Sequence, residues 1–163
     1  EGEAISFDPG TIIFDLGVSG GMSDYLANRL IDDIWRAQAY AWPNNVYAAY
    51  TTTTPTNAAG GHEPGVGGYA RQVIPSSVSG WTPTQGGLVT DASSGTGGRI
   101  GNQAAVTFPA PTANQGVATH GEILDAATGG NLLFWRALAA AKTIAAGGAA
   151  PAFASNTIGI TWA

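Results

Sequence analysis

Two histidines, at positions 62 and 120, and eleven Asp and Glu residues are nearly all that this chain offers for acid–base or metal chemistry. Catalysis by such groups needs several of them gathered in one pocket. His62 stands beside Glu63 in the run Gly60-Gly61-His62-Glu63-Pro64-Gly65. A general base and a solvated turn are the competing readings there, and the turn-forming neighbours favour the turn. His120 and Glu122 share one face of an expected strand, with Asp125 at its end. That trio has the residue types of a metal site, yet two histidines in all, with no helical His-x-x-x-His spacing, argue against one.

The other chemical motifs fail on context. Residues 65–70, Gly-Val-Gly-Gly-Tyr-Ala, fit the dinucleotide fingerprint in form, but they lead into a strand-like run where the motif requires a helix. Neither a Gly-x-Ser-x-Gly elbow nor a phosphate-binding loop ending in Lys-Ser or Lys-Thr occurs. Asp32 and Asp33 are adjacent on an expected helix, so they point about 100° apart and read as a solvated face. No residue is expected to be catalytic, to bind a cofactor or to ligate a metal, and the chain reads as non-enzymatic.

Five tryptophans, at 35, 42, 81, 135 and 162, raise another chemistry, since aromatic platforms bind sugar rings. Trp35, beside an apolar helix stripe, and Trp162, on the apolar face of the last strand, read as packing residues. Trp42 and Trp81, in turn-rich surroundings, are the candidate platforms and interaction residues.

The elements that must position these side chains begin with an extended N-terminal arm, residues 1–21. Ile12, Phe14 and Leu16 alternate to give it one apolar face. Behind the Gly-rich hinge at 17–21, the arm is expected to pair with a sheet edge of a neighbouring subunit or the capsid. Residues 22–163 form one domain, which opens with a helix over about 24–36: Ser23 is an N-cap, Asp24 lies in the first turn, and Leu26, Leu30 and Ile34 form a stripe flanked by Ala27 and Ile31.

Beyond the turn at 42–45 the helical period gives way to short strands divided by Gly, Pro, Ser and Thr. Residues 45–51, 68–75, 99–108, 117–124, 131–138 and 157–162 are the candidates. Ile100, Asn102, Ala104, Val106 and Phe108 should share one face of the third, and Ile158, Ile160 and Trp162 one face of the last. The run 131–135, apolar on both faces, suits a buried strand better than one meeting a partner. Residues 125–130 have hairpin composition, and the propensity of residues 139–142, Ala-Ala-Ala-Lys, suggests a short helix. The fold class is mainly β, a β-sandwich or jelly-roll-like domain with one N-terminal helix.

Composition agrees. Charged residues make up only 10% of the chain, and 24 glycines and 9 prolines favour turns and short strands. A net charge of −5 supplies no basic face for direct nucleic-acid binding. No run reaches the roughly 18 apolar residues of a membrane-spanning helix, and residues 1–21 lack the form of a signal peptide. Cysteine is absent, which excludes disulfides.

Several segments, in order, carry a resemblance: Met22-Ser23-Asp24-Tyr25-Leu26-Ala27-Asn28, then Asn45-Val46-Tyr47-Ala48-Ala49-Tyr50-Thr51-Thr52 with Thr54-Pro55-Thr56, then Gly68-Tyr69-Ala70-Arg71, and the run from Asp125-Ala126-Ala127-Thr128-Gly129-Gly130 through Asn131-Leu132-Leu133-Phe134. Over residues 22–163 the chain resembles a family of small virion proteins of tailed bacteriophages, labelled variously as tail fibre, head decoration or structural proteins. It departs from the family pattern at Thr119-His120-Gly121-Glu122, which sets a charge where packing is expected. Residues 1–21 precede the pattern, either as an arm proper to this chain or because Met22 is a start. The resemblance implies a structural protein of the virion surface, made in the bacterial cytoplasm, without cofactor or catalytic motif. Its partners would be the major capsid protein or tail proteins and neighbouring copies in a homo-oligomer. Head decoration, as a cement on the shell, is expected ahead of a tail-fibre role, and a carbohydrate-binding module is the alternative outside that class.

Overall fold

Ser23 closes the first turn of the helix and fastens it to the sheet with the same hydroxyl. Its Oγ accepts the Leu26 N–H at 3.1 Å and donates to the Leu132 carbonyl. The computed structural model describes residues 21–82 and 99–161. Helix α1 spans Asp24–Trp35. The expected arm residues Ile12, Phe14 and Leu16 and the terminal Trp162 lie outside the described residues. Gly21 is already tied in, because its carbonyl accepts the Trp135 N–H at 2.9 Å and Met22 bridges Phe134.

Among the described residues eight strands follow: β1 (Asn45–Thr51), β2 (Gln72–Pro75), β3 (Arg99–Gly101), β4 (Val106–Thr107), β5 (Gly116–Leu124), β6 (Leu132–Ile144), β7 (Ala152–Phe153) and β8 (Gly159–Thr161). The fold is mainly β, with one helix among the described residues, as expected. A four-stranded antiparallel sheet runs in the order β2-β1-β5-β6, and two-stranded ribbons pair β3 with β8 and β4 with β7. Val46, Ala48 and Tyr50 of β1 point into the main core with Leu26, Ile74, Phe108, Ile123 and Leu133. Ala49, between them in sequence, joins a second small core with Leu124 and Leu132 on the opposite face. That alternation is what a strand buried on both sides requires.

Three expectations are corrected. The run 99–108 is not one strand: after Gly101 the buried side chain of Asn102 donates to the carbonyls of Ala104 and Ala154, both at 2.8 Å, and accepts the Ile158 N–H at 2.8 Å. These bonds to backbone replace a ladder and turn the chain. Residues 139–142 lie within β6 and not in a helix, since the pairing of Ala118 with Lys142 and Gly116 with Ile144 overrides alanine's propensity. The segment is irregular: Ala118 faces Lys142 but His120 faces Ala137, so Thr119 alone stands opposite residues 138–141. At the start of β6 Leu132 and Leu133 are buried, as expected of the run 131–135, and residues 21–23 bond to its outer side. Finally, Trp35 is not a core residue. It stands 80% exposed, and Ile34, the expected end of the helix stripe, 63%.

Candidate functional site

The segment between β1 and β2 folds back across one face of the sheet and lays Gly61 against Glu122 of β5. Glu122, opposite Ala49 on one side and Trp135 on the other, is only 3% exposed. Its Oε1 accepts the Gly61 N–H at 2.5 Å, while Oε2 is buried without a partner. Burial holds this carboxyl above the usual carboxylate range, and neighbouring Glu63 pushes the same way. Position 61 must be glycine for the approach: a Cβ there would lie 2.7 Å from the Thr51 hydroxyl and closer still to the Thr53 carbonyl.

Glu63 is paired with Arg71 at 2.6 Å and accepts the Tyr69 hydroxyl at 2.7 Å. Arg71 also donates to the carbonyls of Ala126 and Gly129, both at 2.7 Å, so one guanidinium ties the covering loop to the β5–β6 hairpin. His120 and Asp125 are not brought to Glu122 as a ligand set. The His120 Nδ1 lies 2.9 Å from the Thr119 hydroxyl, and Asp125 accepts the Asn131 N–H and side-chain amide at 2.6 and 2.8 Å. His62 is exposed, its carbonyl accepting the Thr52 N–H at 2.9 Å. Among the described residues no three His, Asp or Glu side chains are grouped to hold a metal ion. This network is a strut that clamps loop to sheet.

The two nominated tryptophans do converge. Trp42 and Trp81 line one cavity of about 300 Å³ between α1 and the sheet, with Leu26, Leu30, Val46 and Ile160 among its walls. Trp42 is set by its edge-on contact with Tyr40, 4.6 Å between centroids, and Tyr40 in turn is edge-on to Tyr25. Arg29 lies 5.2 Å over the Tyr25 ring and 5.8 Å over the Tyr40 ring. Asp33 fixes the loop by accepting the Tyr40 N–H at 3.1 Å, a structural task beyond the solvated face expected of it. Asp32 pairs with Arg36 at 3.3 Å. The walls are mostly apolar, with Tyr40, Ser76 and the two tryptophans the lining residues that carry a polar side-chain group. Such a lining suits an apolar anchor better than a sugar, whose hydroxyls need several placed donors and acceptors.

Sequence reasoning missed the exposed side of α1. Ile31 is 51% exposed and flanks Ile34 and Trp35, a triplet at spacing i, i+3, i+4 that forms one contiguous apolar surface. The spacing alone signals an apolar stripe; which side of the helix meets the sheet is a tertiary fact.

The model of a bacteriophage protein family, described as podophage GP4 fiber I protein gp80, matches residues 21–161. The chain belongs to that family. Membership covers the whole described domain and places the chain among phage virion structural proteins of fibre type. No curated protein sequence matches it at a significant level. Among the described residues no helix is long and apolar enough to cross a membrane.

Proposed function

We propose that this chain is a non-enzymatic structural subunit of a fibre-type appendage on the bacteriophage particle. The match of the fibre-protein family to residues 21–161 carries the reading, and it favours the fibre over the head-decoration role that the sequence had put first. The geometry fits an assembly role. The polar network around Glu122 and Arg71 is spent on holding loops, while an apolar cavity rimmed by Trp42 and an exposed Ile-Ile-Trp surface await partners. Those partners are other tail or fibre proteins and neighbouring copies of the chain.

A cement protein occupies many equivalent sites on the shell and so approaches the copy number of the major capsid protein, whereas a fibre subunit follows the lower symmetry of its attachment point. Quantitative mass spectrometry of purified particles separates the two. The fibre reading expects a copy number that is a small fraction of the capsid protein's, and a ratio near one to one would overturn it.

A further inference from the structure

We propose that the protein binds a small amphipathic anion, an acyl chain ended by an anionic group, in a second cavity between β6 and the loop 145–151, with Lys142 holding the charged end. The proposal concerns a ligand of the single chain and does not depend on where the chain sits in the particle.

The cavity lies where the β5–β6 ladder breaks. Residues 138–141 have only Thr119 opposite them, and extra residues on one strand bend it away from regular pairing. Beside that stretch opens a space of about 530 Å³, within the range of small-molecule sites, about 300–1,000 Å³. Its floor is aromatic: the buried rings of Tyr50 and Phe108 stand edge-on with centroids 4.8 Å apart, and Phe153 is edge-on to Phe108 at 5.8 Å. Gly121 leaves room for Phe153, since a Cβ there would lie 3.3 Å from its ring. The exposed residues Gly148, Ala149 and Ala150 line the other side, and none has a side chain long enough to fill the space.

One charge enters this lining. Lys142 pairs with Ala118, and residues directly opposite in a ladder place their side chains on the same face. Ala118 belongs to the main core, as does Ile144 two positions beyond Lys142. Lys142 therefore stands on the core face of β6, where the alternation calls for an apolar residue. Among the described residues it has no acidic partner, and no Asp or Glu lines the cavity. The Tyr50 hydroxyl is already bonded to Gln115. An unpaired cation at the side of an apolar space attracts an anion and repels a cation, and walls made mainly of aliphatic and aromatic groups fit plain hydrocarbon.

Isothermal titration of the full chain with decanoate, decanol and decylammonium varies the charge on one and the same hydrocarbon. One decanoate should bind per chain, about tenfold or more tighter than decanol, as a charge-assisted bond provides, and decylammonium should bind more weakly than either. Lys142→Met, a change at an exposed side chain, should bind decanoate no tighter than decanol while keeping its affinity for decanol. Ala150→Trp, which fills the space from its exposed side, should lose both. Free acids and anionic lipids share this chemistry, and co-sedimentation with vesicles separates them: retention on phosphatidylglycerol but not on phosphatidylcholine assigns the ligand to a lipid, and retention on neither assigns it to a free acid. A lysine placed merely to keep another strand off β6 predicts no preference for decanoate, and that result overturns the proposal. A preference that survives Lys142→Met, or binding that survives Ala150→Trp, overturns it as well.

Discussion

The carboxylate of Glu122 receives the backbone N–H of Gly61 at 2.5 Å across 61 positions of sequence, in a site where its other oxygen has no partner. A buried carboxyl with one bond to the protein favours its neutral form, so its pKa in the folded chain is raised. A raised pKa means stability that is fully present below the unfolded value, near 4.5, and lost as pH climbs through the folded one. The wild type should therefore lose thermal stability from about pH 4.5 upward. Glu122→Gln keeps the acceptor for Gly61 without the charge, and it should melt a few degrees higher at neutral pH with a flatter pH profile. Melting curves from pH 4 to 8 check this, and a variant less stable than wild type at pH 7 would mean that the charged form is the one the site holds.

Arg71 uses its guanidinium on Glu63 and on the carbonyls of Ala126 and Gly129, with its side chain 11% exposed. Arg71→Lys keeps the charge but cannot reach three partners from one ammonium. It should cost about 2 kcal/mol, and Arg71→Ala about 3–5 kcal/mol, because Glu63 is then left partly buried and unpaired. Urea unfolding monitored by tryptophan fluorescence measures both.

Ser23 serves as helix cap and sheet contact at once. Ser23→Ala should lose about 1–2 kcal/mol, with the loss concentrated at the start of α1. Hydrogen exchange at the Leu26 amide should rise more than exchange at Ala48 in the centre of β1.

Position 61 admits no side chain, since an added Cβ would meet the Thr51 hydroxyl and the Thr53 carbonyl. Gly61→Ala should lift the covering loop and destabilise by about 2–4 kcal/mol. Gly65→Ala, in the same loop with open space at its Cβ, should change stability by less than about 1 kcal/mol.

What could be read from the sequence was local. Ser23 and Asp24 announce the helix start, and β1 occupies the expected residues because its alternating Val46, Ala48 and Tyr50 leave little choice. Trp42 and Trp81 stood out together by their turn-rich settings, and the structure joins them in one cavity. What escaped depends on distant partners. Alanine propensity at 139–142 yields to pairing with β5, the alternation over 99–108 is broken by bonds from Asn102 to residues more than fifty positions away, and the departure at Glu122 makes sense only once Gly61 lies against it. The exposure of Trp35 follows from where α1 leaves the sheet, which helical periodicity does not encode.

Membership in a phage fibre-protein family over residues 21–161 makes location on the particle the decisive observation. Electron microscopy of purified virions labelled with an antibody to this chain should place the label on fibre appendages and leave the faces of the head bare. Label spread over the head shell, or absence of the chain from purified particles, would contradict the account.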